Sequence, residues 1–106
     1  MSAVALVYTL FGSREAAIRA ARQLIEERLI ACANLLGEAT SLYEWNGVLE
    51  ESTETPVLFK TTPSRRDALM ARIAELHDYD VPAILALPVE AAGNAFARWV
   101  GDQLAK

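Results

Sequence analysis

Apolar and polar residues alternate along this chain with two periods, and the switches between them mark its elements. Residues 3–11 are a continuous apolar run containing the β-formers Val4, Val7 and Tyr8 and closed by Gly12-Ser13, the pattern of a buried strand. Ser13 reads as a helix N-cap. Over residues 14–30, Ala17, Ile18, Ala21, Leu24, Ile25 and Leu29 recur at spacings of three and four, while Arg19, Arg22, Gln23, Glu26 and Glu27 fill the other side, which predicts an amphipathic helix. Extended character returns over residues 32–45, interrupted at Gly37. Asn46-Gly47, set between Tyr43-Glu44-Trp45 and Val48-Leu49, predicts a two-residue hairpin turn, because both positions tolerate positive φ. The returning strand runs to about Thr61. Thr62-Pro63 offers a capping hydroxyl followed by proline at a first helical position, and Leu69, Met70, Ile73 and Leu76 supply the stripe of a second helix lasting to about His77. Val81-Pro82 breaks the chain, residues 83–89 predict a short last strand, and Asn94 reads as the cap of a closing helix with Phe96, Trp99, Val100 and Leu104 on one face.

The order β-α-β-β-α-β plus a C-terminal helix is the α+β, ferredoxin-like (split βαβ) plan, here as a single domain over residues 1–106. The first and last strands are apolar on both faces: Val4, Leu6 and Leu10 alternate with Ala5, Val7 and Phe11, and Ile84 alternates with Leu85 and Leu87. Helices cover only one face of such a sheet, so the second face needs a cover, and another subunit is the expected one. The hairpin strands, about 12 residues at ~3.3 Å each, reach about 40 Å, farther than a small sheet is wide. An arm tipped by Tyr43 and Trp45 is unstable alone in water, so it is expected to pack on a neighbour. Pro56 conflicts with a place in the sheet interior, because it lacks a ladder donor; a bulge at Thr55-Pro56 and an unpaired stretch where the arm leaves the sheet both reconcile it.

Composition narrows the function classes. At 53% hydrophobic and 23% charged residues, the chain has ample apolar surface to offset the entropy of ordering, which excludes intrinsic disorder. The net charge is −4, and residues 1–53 hold four basic against seven acidic residues, so a nucleic-acid partner is not expected. The RNA-recognition module shares this topology, but residues 52–59 (STETPVLF) lack its basic-aromatic motif. The lone Cys32 cannot close a disulfide within the chain, which points to a reducing, cytoplasmic setting. The N-terminal apolar run has no basic n-region and is far shorter than the ~20 residues that span a bilayer, so no membrane is expected.

Several segments together carry a family resemblance: Ala31-Cys32-Ala33-Asn34; Ser41-Leu42-Tyr43-Glu44-Trp45-Asn46-Gly47 with Glu50, Glu54 and Lys60-Thr61; His77-x-Tyr79-x-x-Pro82; Leu87-Pro88-Val89; and Trp99. The chain resembles CutA, the divalent-cation tolerance protein family, in order and spacing over nearly its whole length. The resemblance implies a small ferredoxin-like subunit in a tight homotrimer, similar in architecture to PII-type nitrogen-signalling proteins. It also implies tolerance to copper and other divalent cations rather than a catalytic activity. The family segment usually reads His-Pro-Tyr-x-x-Pro-Glu; here Ala83 stands in place of the glutamate, and Asp78 and Asp80 have been added. A cation site built on that glutamate is therefore either missing or rebuilt from the two aspartates.

Candidate chemistry is sparse. Cys32 and His77 are a soft thiolate and an imidazole suited to copper or zinc, and His77, Asp78 and Asp80 together offer mixed N/O ligation for a weakly held divalent cation. Against this, Cys32 between apolar neighbours suits core packing, and His77 at a helix end suits capping of the last carbonyls. No C-x-x-C or H-x-x-x-H spacing is present. Tyr43, Trp45 and Tyr79 either line a ligand cleft or pack the arm on a neighbour. Lys60 either holds an anion near that cleft or pairs with Glu54. Glu50-Glu51 and Glu54 read as solvated protection of an exposed strand. No organic cofactor is expected. Two other functions are open: a PII-like module binding a small anion or nucleotide at subunit clefts, and, as a minor reading, an acylphosphatase-like hydrolase, against which stands the 45-residue separation of the single histidine and cysteine and the absence of a phosphate loop.

Overall fold

In the computed structural model, which describes residues 3–106, the elements are β1 (Ala5–Phe11), α1 (Arg14–Glu26), β2 (Cys32–Leu35), β3 (Ala39–Trp45), β4 (Val48–Thr61), α2 (Arg66–Leu76), β5 (Ile84–Leu87) and α3 (Asn94–Leu104). The antiparallel sheet runs β2-β4-β1-β5, with β3 also pairing with β4, which is the ferredoxin-like arrangement. Register decides the faces, since side chains alternate along each strand. Val7↔Phe59 and Thr9↔Val57 turn toward α1 and α2, where Val7, Val57 and Phe59 join Phe11, Leu24, Leu69 and Ile73 in the main core. Leu6↔Lys60 and Tyr8↔Leu58, extended by Leu87 and Leu85 of β5, turn the other way.

That second face is covered at one end only. Val100 and Leu104 of α3 close over Val4 and Ala31 in a small second core, while Leu85 (52% exposed) and Leu87 (38%) remain open. The expected single stripe of α3 therefore splits: Val100 and Leu104 are buried, whereas Phe96 and Trp99 are exposed and stack on each other at 5.9 Å.

Helix ends depart from the sequence pattern for local reasons. Ser13 does cap α1, its hydroxyl accepting from the Ala16 amide at 3.1 Å. At the other end α1 stops at Glu26, short of Ile30, because Arg28 adopts φ 60°. The Leu29 amide donates back to the Leu24 carbonyl and the Arg28 amide to Ile25, a Schellman closure made without the usual glycine. The Arg65 guanidinium donates to the Arg28 carbonyl and holds that closure. Ile25 is left exposed rather than buried. Pro63 opens a turn, not a helix: the Arg65 amide bonds the Thr62 carbonyl at 3.0 Å, and α2 starts only at Arg66 with no side-chain cap. Asn94 is likewise the first helical residue of α3 rather than its cap, which is Gly93.

Pro56 sits buried inside β4 in unbroken register with Leu10 of β1. Its carbonyl accepts from the Leu36 amide at 2.9 Å, so its donor-less nitrogen also faces the neighbouring strand and not β1. That neighbour is where the irregularity lies. Between the pairs Leu35↔Val57 and Ala39↔Glu54, three residues around Gly37 oppose two of β4, a bulge that needs no ladder bond from the proline.

Beyond Glu54 only β3 accompanies β4, and the two form the arm. Its turn has Asn46 at φ 52° and Gly47 at φ 78°, the primed geometry that an Asn-Gly pair favours. At ~3.3 Å per residue the 14 residues of β4 extend about 46 Å, which equals the long dimension of the subunit, 46 Å.

The two helices of the covered face are tied by Arg72, which grips both carboxylate oxygens of Glu27 at 2.8 Å, with the Gln23 amide donating at 2.6 Å. Arg72 first, then Gln23, holds the Glu27 carboxyl down from its ordinary 4.5 to about 2. A depressed folded-state value means stability present above pH ~4.5 and lost as pH falls toward 2. Glu27→Gln is therefore expected to flatten the acid limb of the melting-temperature profile across that window; an acid limb as steep as that of the wild type contradicts the assignment.

Candidate functional site

The arm and the α2–β5 connection enclose the main concavity. Cross-strand register pairs Tyr43 with Glu50, Trp45 with Val48 and Ala39 with Glu54, which places Tyr43, Trp45, Glu50 and Glu54 on one face of the arm. Residues 77–83 fold against the root of that face and supply Tyr79, Asp80, Val81 and Ala83, with Leu10 of β1 beneath. Together they line an open cleft of about 560 Å³.

Tyr79 joins the two walls. Its hydroxyl donates to Glu54 Oε2 at 2.9 Å, and burial first, then the bond to Glu54, pushes its phenol up to about 12. Gly12 makes this position accessible, since a Cβ there would stand 3.1 Å from the Tyr79 hydroxyl.

Behind Tyr79 lies His77. Its Nε2 is 2.8 Å from the Leu10 carbonyl and its Nδ1 accepts from the Tyr79 amide at 3.2 Å. A carbonyl only accepts, so the network assigns the tautomer with the proton on Nε2. The ring lies flat on Phe11, centroids 4.5 Å apart at 8°, and Tyr79 tilts against it at 4.7 Å. His77 thus pins the connection to β1 rather than capping the carbonyls of its own helix, because the stack on Phe11 aims Nε2 at the strand.

The other candidate residues scatter. Asp80 lines the cleft whereas Asp78 faces a shallow depression beside Arg19 and Gln23 of α1. Cys32 pairs in register with Lys60 at the far end of the sheet, four residues along β1 from Leu10, roughly 13 Å. Burial pushes the Cys32 thiol up, with the Lys60 charge partly opposing it, which suits packing better than a thiolate ligand. Lys60 stands over the Phe96 ring at 5.5 Å, six residues along β4 from Glu54 and so about 20 Å away; it meets neither the cleft nor Glu54. Among the described residues no three His, Cys, Asp or Glu side chains converge as a metal site. Glu50 is the cleft residue that the sequence reading placed elsewhere, and the signal for it was available: a two-residue turn at Asn46-Gly47 makes it the cross-strand neighbour of Tyr43. No helix among the described residues is long and apolar enough to cross a membrane.

Residues 5–103 match the family model described as CutA1 divalent ion tolerance protein. A divalent-cation tolerance protein CutA from Pyrococcus horikoshii is 40% identical over 101 residues, covering 95% of this chain and 98% of that one. A CutA homolog from Xenopus laevis is 42% identical over 82 residues, 77% of this chain, and this chain spans only 54% of its length. The crystal structure of CutA1 from Ehrlichia chaffeensis superposes with a TM-score of 0.95 at 35% identity, covering 100% of this chain and 99% of that one. Relatives are described as periplasmic in Archaeoglobus fulgidus, at 29% identity, and as chloroplastic in Arabidopsis thaliana, at 32%. With residues 5–103 matching the family model and relatives at 35–40% identity covered over 95% or more of both chains, the chain belongs to the CutA1 divalent ion tolerance protein family.

Proposed function

We propose that this chain serves divalent-cation tolerance as a non-catalytic homotrimer, with the cleft opening at the crevice between subunits. The observation that carries the reading is the half-open sheet face. α3 covers one end and leaves Leu85, Leu87 and the Phe96-Trp99 pair exposed, apolar area of the kind that marks association. The arm adds to it: a two-stranded ribbon bearing exposed Leu42, Trp45, Val48 and Leu49 gains stability only against a neighbour.

The residues of one subunit do not fit copper or zinc. His77 engages both ring nitrogens, Asp78 and Asp80 face different surfaces, and Cys32 is remote. Among the described residues the cleft has Glu50, Glu54 and Asp80 in its walls and no basic side chain, which repels a nucleotide or other small anion and speaks against the PII-like alternative. The lone Cys32, a thiol raised by burial, suits a reducing compartment such as the cytoplasm.

Sedimentation tests the assembly. The expected species at micromolar concentration has a mass of about 35 kDa, three times the subunit's 11.6 kDa. A compact particle of one subunit's mass overturns the reading.

A further inference from the structure

We propose that the cleft at the root of the arm binds an aliphatic polyamine, a chain with ammonium charges repeated along its length. The proposal rests on the reading of this cleft as the protein's ligand crevice, and not on the number of subunits.

The lining chemistry selects a cation. Three aromatic rings, Tyr43, Trp45 and Tyr79, share the cleft with the carboxylates of Glu50, Glu54 and Asp80, and among the described residues no basic side chain joins them. Ring faces attract ammonium groups, and carboxylates accept their hydrogen bonds.

Spacing then selects the kind of cation. Glu50 and Glu54 lie on one face of β4, four residues and therefore roughly 13 Å apart. A bare divalent ion draws its oxygens to within about 2.0–2.6 Å, so it cannot use both, in keeping with the lack of any converging ligand group among the described residues. A monoamine would neutralise one carboxylate and leave the others facing each other across the cleft. A flexible chain carrying several ammonium groups answers the whole row.

The rings also fit that chain. Tyr43 is the cross-strand neighbour of Glu50 and Trp45 is the next residue on the same face, so apolar surface runs beside the carboxylates for the methylenes. Leu10, Val81 and Ala83 continue it. The Tyr79 hydroxyl fixes one oxygen of Glu54, Oε2, at 2.9 Å and so holds this carboxylate at the cleft wall. A volume of about 560 Å³ is within the range of small-molecule sites.

Calorimetric titration at fixed ionic strength tests this on the purified, assembled protein, with spermidine as the probe and butylamine, MgCl2 and tetralysine as comparisons. Expected are saturation at one spermidine per subunit, binding at least tenfold tighter than butylamine or Mg²⁺, and a loss of roughly fivefold or more for Trp45→Ala and for Glu50→Gln. Mg²⁺ matching spermidine would reduce the effect to a charge atmosphere and overturn the proposal; so would variants that bind like the wild type, or no heat at all. Tetralysine binding tighter than spermidine would also overturn it and assign the cleft to a basic protein segment. Sedimentation of the same sample keeps the two readings apart: an intact trimer without spermidine binding sinks this proposal alone, and a single subunit that still binds spermidine sinks the assembly alone.

Discussion

The double substitution Leu85→Glu/Leu87→Glu is expected to sediment as single subunits instead of the proposed trimer. Both side chains sit on β5, at the edge of the sheet, and register places them with Tyr8 and Leu6 on the face away from α1 and α2. Neither belongs to a buried cluster, so glutamate there leaves the subunit core intact. In the assembly the same carboxylates enter an apolar contact without partners. Desolvating an unpaired carboxylate costs several kcal/mol, and every ~1.4 kcal/mol is a factor of ten in affinity, so each such charge weakens the contact by about a hundredfold or more. Ile25→Glu is the control, because Ile25 is an exposed apolar residue of α1 on the opposite layer; that variant is expected to remain assembled. Retained β and α signal in circular dichroism identifies the separated species as folded. A double variant that still sediments at about three times 11.6 kDa would place the contact elsewhere.

The strands and helices of this fold were readable because two kinds of signal agree: periodicity and turn chemistry. The Asn46-Gly47 turn alone sets the arm's register, and with it the meeting of Tyr43, Trp45 and Glu54; Tyr79, a cleft candidate by residue type and by the His77-x-Tyr79-x-x-Pro82 segment, joins them through contacts that no local pattern encodes. What escaped were features whose cause is tertiary. Nothing at Arg28 announces a left-handed residue, and the closure it makes depends on Arg65, far along the chain. Phe96 and Trp99 follow the same spacing as Val100, yet only Val100 meets Val4 and Ala31, because α3 covers one end of the face. Lys60 reads from the sequence either as an anion holder near the cleft or as a partner of Glu54, but strand geometry carries it to Phe96. His77 was visible as a residue with chemistry, while its partner is a backbone carbonyl 67 positions away, and a carbonyl leaves no mark in a sequence.

Truncating His77 to alanine is expected to cost about 3 kcal/mol of subunit stability, from two hydrogen bonds at roughly 1 kcal/mol each and a ring stack worth about as much. The lost contacts are the bond to the Leu10 carbonyl at 2.8 Å, the bond from the Tyr79 amide at 3.2 Å and the face-on stack with Phe11. His77→Phe restores the stack alone and is expected to recover about a third of the loss, as read by urea denaturation. Under conditions where both proteins are folded, the Zn²⁺ titration isotherm of His77→Ala is expected to overlay that of the wild type, since one nitrogen donates and the other has its lone pair engaged. An isotherm that loses heat on this substitution would return His77 to the role of ligand. The consequence reaches the cleft through Tyr79, which leans on the imidazole at 4.7 Å and holds Glu54. Without the ring, amides of residues 77–83 are expected to exchange faster with solvent while those of β1 and β4 keep their protection, because the connection depends on this pin and the central strands depend on the core beneath it.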